Sequence, residues 1–482
     1  MSDKRGLIRG LGLLAGVSVI VANVIGTGVF LKARVMTCNV GSPVWVLLAW
    51  IAAGLLSLAG ALTYAEIAAM KPRAAGEYVF LKDAYGRVTG FLYGWMTMFI
   101  AKSGAQAAVA VAFAIFLNDF FGGKLRQVLY AADIFGYGYE LTSLQVIAVM
   151  MIVIFTTINC ASVSVGGQIA TYFTFVKVAL VLLVGVGAFL LADGSFSHFA
   201  ASGAGGTCEE VVDGVRYGGP GYTFLAGFGA AMIGALWGYD GWNNITFVAG
   251  EVKKPSRNIP LALIGGTLTV MVLYVFVNAA YFYVLTPEAI ASVSTTSSVA
   301  TEVAVRFLGA AALGVMTVGL LISSAGTLHT SILGGARVPY ALARDGLMFE
   351  RLGRVSEHTR VPVAALIVQG AWACLLAISG SFDTLTNYVI FGSWIFYTLV
   401  GASIFVYRKK FPDMERPYKA FGYPVVPVLF ILTATALLLN TVYSDFRNSL
   451  IGMGLIALGL PIYYYLNNRG TPPANGDEDD DR

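Results

Sequence analysis

Two short segments that contain glycine interrupt apolar stretches of the chain. The first, Gly26–Gly28, lies in "VANVIGTGVF", and the second, Gly238–Gly241, lies in "ALWGYDGWNN". A break within a helix frees backbone N–H groups, which suit a carboxylate, and carbonyl groups, which suit an ammonium. Two such breaks facing each other would bind a zwitterion. The alternative is that these glycines serve only the close packing of helices.

Three charged residues lie within the same kind of apolar sequence: Lys102, Lys177 and Asp240. Lys177 is about eleven residues, or roughly 16 Å of helix, from the nearer end of its apolar run. Charges at that depth are costly and usually functional. Lys177 could instead face a water-filled cavity. A neighbouring lysine or a bound proton could neutralise Asp240, and Lys102 could pair with an acidic group or contact a ligand.

Composition defines the elements that must position these residues. Hydrophobic residues make up 57% of the 482 residues and charged residues 12%, against about 25% charged in ordinary globular proteins. Apolar runs of about twenty residues, long enough to cross a bilayer, recur along the chain. They predict an all-α integral membrane protein with twelve spans, at about 8–36, 43–69, 86–117, 143–163, 167–192, 221–250, 259–285, 307–336, 362–380, 384–407, 424–443 and 448–467.

Positive charge predicts the orientation, since Lys and Arg accumulate in cytoplasmic loops. With the N-terminus inside, 22 of the 31 Lys and Arg residues lie on the cytoplasmic side and 7 on the other, and Lys102 and Lys177 lie within spans. The predicted organisation is a cytoplasmic N-terminus (1–10), a twelve-helix membrane domain (11–467) and an acidic cytoplasmic tail (468–482). The basic loops follow this bias, so they do not indicate a nucleic-acid partner.

The four cysteines show no pairing or metal-ligand spacing. They are Cys38, Cys160, Cys208 and Cys374. Neither a disulfide framework nor a metal site is expected. No span carries a nucleophile and base together, so an enzyme is disfavoured, and no cofactor is indicated.

The two breaks lie in spans 1 and 6, five spans apart. Because five is odd, a repeat of spans 1–5 (about 8–192) by spans 6–10 (about 221–407) runs in the opposite direction through the membrane. Spans 11 and 12 (about 424–467) are then additions.

At these residues the chain resembles the amino acid–polyamine–organocation superfamily, and within it the L-type amino-acid exchangers of the stand-alone bacterial type. The resemblance rests on "NVIGTGVF", "ALWGYDGWNN" with the following "EVKKPSRNIPLA", "YAEIAAMKPRAAGEYVFLKDAYG", "GGARVPYALARDG" and "RPYKAFGYPVVP". It implies the leucine-transporter-like inverted-repeat fold and transport by alternating access.

The resemblance also implies a substrate site. Ile25, Gly26, Thr27 and Gly28 would surround the substrate carboxylate. Carbonyls near Leu236 and Gly238 would take the amino group, and Trp237 would be an aromatic gate over the substrate. Trp237 could alternatively be a packed aromatic residue of a membrane helix.

The same resemblance assigns roles to the buried charges. Lys177 would replace the sodium ion that joins span 1 to span 8 in sodium-coupled relatives. Its expected hydroxyl partner is Ser323, with Ser324 and Thr327 as weaker candidates. Asp240 resembles the aspartate beside the substrate side chain in exchangers of cystine and dibasic amino acids, and the role of Lys102 stays open.

One departure concerns partners. The animal relatives use a cysteine between spans 3 and 4 to bind a heavy chain, and "FFGGKLRQVLYAADIFGYGYELT" contains none. No disulfide-linked heavy chain is therefore expected. The prediction is a sodium-independent antiporter of L-amino acids in the cell membrane, with cationic as well as neutral substrates left open. A proton-coupled symporter and a non-transporting amino-acid sensor are the alternatives.

Overall fold

The structure is a computed structural model. It describes residues 11–72, 76–134, 137–161, 166–203, 206–208, 215–295, 297–356, 359 and 361–468. The predicted N-terminus (1–10) and residues 469–482 of the predicted tail lie outside this part. Helices dominate the described chain, and helical structure occurs within each of the twelve predicted spans.

The spans have the following bounds. Span 1 consists of 1a (Leu13–Val24) and 1b (Gly28–Val40), and span 2 is Pro43–Met70. Span 3 combines Arg87–Met96, a π-helical turn at Thr97–Lys102 and Ser103–Phe120, and spans 4 and 5 are Ser143–Ala161 and Gly166–Leu191. Span 6 is Phe224–Tyr239 followed by a 3₁₀ segment, Asn244–Glu251. Spans 7 to 10 are Pro255–Val284, Ala311–Gly335, Val363–Ser379 and Phe382–Lys410. Span 11 is Val425–Ser444, and span 12 combines Phe446–Ala457 and Gly459–Asn468.

Shorter elements connect the spans. A loop helix, Glu77–Tyr85, follows span 2. The helices Pro287–Ala291 and Val299–Leu308 join spans 7 and 8, and Arg337–Arg344 follows span 8. Two 3₁₀ turns are Phe196–Ala200 and Glu350–Gly353. The strands Val128–Ile134 and Tyr137–Thr142 form an antiparallel hairpin between spans 3 and 4, which an all-α prediction does not include.

Length and hydropathy make the chain a multi-pass membrane protein. Within the described residues, nine helices are long and apolar enough to cross a membrane, and the bent pair 1a and 1b makes a tenth span. The helices of spans 6 and 9 have 16 and 17 residues, which is short against the roughly 20 residues that a bilayer core requires. The number twelve and the inverted repeat therefore stay predictions.

Spans 1 and 6 lie at the centre of the helix packing. Span 1a packs against span 7, and span 1b packs against span 6. Spans 3, 4, 8 and 9 contact one another, and span 10 packs against spans 2, 3 and 6. The two breaks are thus enclosed by other helices, which is where irregular backbone is tolerated in a membrane.

A disulfide bond corrects the prediction from cysteine spacing. Cys38 at the end of span 1b is bonded to Cys208, which is 170 residues away in the chain. The loop before span 6 folds back over span 1b, and the amide of Tyr217 donates to the carbonyl oxygen of Cys38 at 2.8 Å. Spacing alone could not reveal a pair that meets only through this fold. We call the end of the bundle with this disulfide the upper end, and the end with the loop helix the lower end.

Candidate functional site

The first break lies inside the protein. Span 1a ends at Val24, span 1b begins at Gly28, and the two helices are bent by 47°. Ile25 is fully buried, and Thr27 is nearly so. The first N–H groups of span 1b have no partner within their own helix. They are therefore available to a ligand on the open side of the break.

The two glycines of this break have different surroundings. A Cβ atom on Gly26 would meet only the carbonyl oxygen of Val24, at 3.8 Å. A Cβ atom on Gly28 would lie 2.8 Å from the Cα atom of Gly238 and 2.9 Å from the ring of Trp237. Gly28 therefore allows the two breaks to touch, whereas Gly26 faces space that a ligand can use.

The second break follows the helix of span 6. That helix ends at Tyr239, and Gly241 has a φ of +97°, a conformation that favours glycine. The chain continues as a 3₁₀ segment rather than as a second α-helix. Leu236 and Trp237 are buried in the last turn before the break. The structure thus brings the predicted residues of spans 1 and 6 together.

Tyr274 of span 7 joins the two breaks. Its Oη atom lies 2.7 Å from the carbonyl oxygen of Val24 and 3.0 Å from that of Gly238. Its single proton can be donated to only one of these carbonyls at a time. Sequence reasoning missed Tyr274, because nothing in the apolar sequence of span 7 distinguishes it from other packed aromatic residues.

The upper side of the breaks is closed by an aromatic and ionic cluster. Trp237 packs edge-on against Phe382, with 6.0 Å between ring centroids, and the ammonium of Lys32 lies 4.9 Å from the Phe382 ring. Lys32 Nζ donates to Asp383 at 2.6 Å and to the Thr386 hydroxyl at 2.7 Å. Lys32 is only 1% exposed and Asp383 is 40% exposed, so the ion pair lies between the buried break and the upper surface.

Lys177 connects spans 1, 5 and 8. Its Nζ atom donates to the carbonyl oxygen of Ala22 at 2.8 Å and to the Thr327 hydroxyl at 2.7 Å. Only 2% of Lys177 is exposed. The ammonium therefore holds the lower half of span 1 against span 8.

The hydroxyl partner of Lys177 differs from the expected one. Ser323 contributes its carbonyl oxygen instead, which accepts a hydrogen bond from Thr327 Oγ1 at 3.0 Å. Ser324 donates to the carbonyl oxygen of Leu320. Ser323 and Thr327 lie one helical turn apart on the same face, so the sequence could not distinguish between them. The structure corrects the partner to Thr327.

Asp240 and Lys102 face one small cavity beside the second break. Its volume is about 20 Å³, and Tyr397 also lines it, which is room for about one water molecule. Tyr397 Oη donates to Asp240 at 3.0 Å, and Lys102 Nζ donates weakly to Asn244 Oδ1 at 3.4 Å. The carboxylate of Asp240 thus has a hydroxyl donor and a cation on its open side.

A buried carboxyl group at the lower end connects to this region. Glu77 begins the loop helix and is fully buried. It accepts hydrogen bonds from Tyr93 Oη and from Asn243 Nδ2, just after the second break. Burial raises the pKa of Glu77 to about 7, against the opposing effect of these hydrogen bonds. Sequence reasoning quoted this loop as a family motif but did not single out Glu77.

Within the described residues, no group of three or more His, Cys, Asp or Glu side chains could hold a metal ion. The site instead offers backbone groups at two breaks, an aromatic lid at Trp237 and buried charges on both sides. Backbone N–H and carbonyl groups at the two breaks suit the opposite charges of a small zwitterion.

These features are those of a membrane transporter, and the family model confirms it. Residues 11–460 match the family described as amino acid permease. The chain belongs to this family, whose members are membrane transporters and not enzymes.

Individual relatives share the whole length of the chain. The chain is 30% identical to the serine/threonine exchanger SteT of Bacillus subtilis (strain 168) over 472 residues, which cover 97% of this chain and 99% of the relative. It is 28% identical to the b(0,+)-type amino acid transporter 1 of Mus musculus over 461 residues, or 95% and 88% of the two chains. It is 29% identical to the human cystine/glutamate transporter over 465 residues, or 96% and 86%.

Proposed function

We propose that the protein is a sodium-independent antiporter that exchanges neutral L-amino acids across the cell membrane by alternating access. The observation that carries this proposal is Lys177. Its ammonium bridges Ala22 near the first break and Thr327 of span 8. A cation fixed to the chain in this position removes the need for a dissolved one. The names of the relatives, which include an exchanger, support exchange.

The substrate carboxylate binds at the first break. The open space beside Gly26 and the start of span 1b at Gly28 favour a carboxylate there, because a helix N-terminus carries partial positive charge. The carbonyl oxygens of Val24 and Gly238 accept hydrogen bonds from the Tyr274 hydroxyl. They are also suited to the ammonium group of the substrate. A zwitterion that displaces the Tyr274 hydroxyl from one of them gains a charge-assisted hydrogen bond.

The substrate class is inferred from Asp240 and Lys102. An isolated carboxylate at the second break would favour arginine or lysine. Lys102 faces the same small cavity, and Tyr397 already donates to Asp240, so the negative charge is largely compensated. We therefore expect neutral amino acids to be preferred over cationic ones.

The orientation follows from charge and from the disulfide. Disulfides persist in oxidising compartments, so the upper end with Cys38 and Cys208 belongs outside the cell. The basic loops favour a cytoplasmic position for the lower end and both termini. A green fluorescent protein fused to the C-terminus should fluoresce, and a dark, correctly inserted fusion would contradict this orientation.

Efflux from proteoliposomes tests exchange. Vesicles preloaded with a labelled neutral amino acid should release it rapidly when unlabelled amino acid is outside, and at the same rate in sodium or choline buffer. Stimulation by sodium would refute the sodium-independent mechanism. Release that requires a proton gradient would establish the proton-coupled symporter, and binding without release would establish the sensor.

Competition by arginine tests the substrate class. Arginine should inhibit uptake of a labelled neutral amino acid weakly in the unmodified protein, and Asp240→Asn should change turnover or stability rather than selectivity. Lys102→Met is the matched variant, because it exposes the charge of Asp240 to the site. It should improve inhibition by arginine by about tenfold or more, the equivalent of about 1.4 kcal/mol. If arginine inhibits the unmodified protein strongly and Asp240→Asn abolishes that inhibition, the assigned preference for neutral amino acids is wrong.

A further inference from the structure

A groove opens between spans 5 and 8, on the side of these helices away from the breaks. Its volume is about 780 Å³, within the range of about 300–1,000 Å³ that is typical of ligand pockets. Every lining residue is Phe, Val, Ala, Leu, Ile or Gly. The walls include Val176, Leu180 and Leu183 of span 5 and Gly314 and Gly319 of span 8. Among the described residues, no polar side chain lines the groove, so it suits a hydrocarbon.

Small residues on span 8 create the groove. At Gly319 the two helices touch, because a Cβ atom there would lie 2.5 Å from Leu180. At Gly314 the helices have separated, and a Cβ atom would meet nothing within 4 Å. The groove therefore widens from a contact point toward the upper end.

The length of the groove matches one leaflet of a bilayer. Its lining runs over residues 175–183 of span 5 and 311–322 of span 8. At 1.5 Å per residue these stretches are about 12 and 16 Å long, and half of a hydrocarbon core is about 15 Å. Along span 8 the groove extends from the upper end of the helix to about its middle, and along span 5 (Gly166–Leu191) its lining occupies the middle of the helix.

The groove is continuous with the lipid-facing surface of the same helices. Phe175, Leu190 and Val318 are 72%, 75% and 55% exposed, and in a membrane protein such apolar side chains face acyl chains. We propose that one acyl chain of a phospholipid from the upper leaflet binds in this groove and fixes the spacing of spans 5 and 8.

The position of the groove gives the bound chain a consequence for transport. Val176, a wall residue, precedes Lys177 in span 5, and the groove ends at Ile322, five residues before Thr327. The two helices that the acyl chain separates are those that the hydrogen bond from Lys177 to Thr327 joins. An occupied groove holds this junction in register, and an empty groove leaves its apolar walls without a packing partner.

Retained lipid measures occupancy. The protein is purified in mild detergent, and its bound phospholipid is counted by native mass spectrometry. Gly314→Leu fills the groove, and Gly265→Leu on span 7 is the matched control, because a Cβ atom there also meets nothing within 4 Å. The unmodified protein and the control should retain one phospholipid that Gly314→Leu loses. Equal retention in all three would overturn the proposal.

Photolabelling of the unmodified protein tests occupancy of the groove without relying on the folding of Gly314→Leu. Phosphatidylglycerol with a diazirine on one palmitoyl chain is incorporated into nanodiscs with the unmodified protein. Labels should concentrate on residues 175–183 and 311–322. Labelling no stronger there than on the exposed face of span 7 would mean ordinary bilayer contact, and the proposal would fail.

Delipidation tests the link to transport. Stripping phospholipid from the unmodified protein should weaken the binding of a neutral amino acid, and adding phosphatidylglycerol should restore it. Gly314→Leu, with its groove filled by its own side chain, should bind equally with and without lipid. Binding by the unmodified protein that is indifferent to delipidation would refute the effect on the junction.

Discussion

Replacing Lys177 by methionine should strongly reduce transport in a folded protein. Methionine keeps most of the side-chain volume but removes the ammonium. The Ala22 carbonyl then loses the ammonium that donates to it, whereas the Thr327 hydroxyl still donates to the Ser323 carbonyl. One buried, unpaired acceptor costs about 1–3 kcal/mol. If the unpaired carbonyl destabilises the conformation in which spans 1 and 8 are joined by this amount, the transport rate should fall by about 5- to 150-fold.

Two variants in span 8 separate the observed partner from the expected one. Thr327→Val removes an acceptor from a buried ammonium, a loss of about 1.5–3 kcal/mol, so its effect should resemble that of Lys177→Met. Ser323→Ala keeps the backbone carbonyl that Thr327 uses and should transport almost normally. Since Lys177 and Thr327 act as one unit, the double variant should be little worse than either single variant.

The assay is exchange of a labelled neutral amino acid in proteoliposomes, with thermal melting as the control for folding. The reasoning is refuted if Lys177→Met exchanges at a near-normal rate. It is also refuted if Ser323→Ala is impaired as strongly as Thr327→Val, because the hydroxyl contact would then lie elsewhere.

Three further predictions concern the breaks and the two ends of the bundle. Gly26→Val should lose the substrate-induced thermal shift while its melting temperature without substrate stays unchanged. Gly28→Val should also melt at a lower temperature, because its side chain overlaps the second break. A normal substrate-induced shift for Gly26→Val would contradict the assignment of the carboxylate to the first break. Lys32→Met removes the ionic closure at the upper end and should speed hydrogen exchange of the amides at the start of span 10, and unchanged exchange would show that this cluster does not hold the closure. Burial raises the pKa of Glu77 from its usual 4.5 to about 7, so between about pH 5 and 7 a bound proton stabilises the conformation in which Glu77 is buried. The exchange rate should rise over this range as that proton is lost, and Glu77→Gln should flatten the rise; a pH profile identical to that of the unmodified protein would contradict the role of Glu77.

The sequence predicted those parts of the site that leave a local signal. Glycines within apolar runs predicted both breaks. The position of Lys177, deep within an apolar run, predicted that this residue has a functional role. Each of these is visible without knowing which helices are neighbours, because a charge or a break in an apolar environment is costly wherever the helix packs.

The rest depends on contacts between distant parts of the chain. Thr327 and Ser323 share one helix face, so the choice between them depends on the height at which span 5 crosses span 8. Tyr274 and Glu77 are ordinary residues in their own segments, and their roles come from neighbours more than a hundred residues away or on other elements. The fold placed these side chains, and no spacing rule could have found them.

The bond between Cys38 and Cys208 closes the polypeptide into a covalent ring. The two residues are 170 positions apart. The chain between them, which the bond closes into a ring, contains spans 2 to 5. A single cut in the hairpin between Val128 and Thr142 would therefore leave both pieces attached through sulfur, and the nicked chain would separate only after reduction. The disulfide is then a covalent cross-link between the two fragments. It keeps them at a high effective concentration for each other even when the backbone of the hairpin is cut.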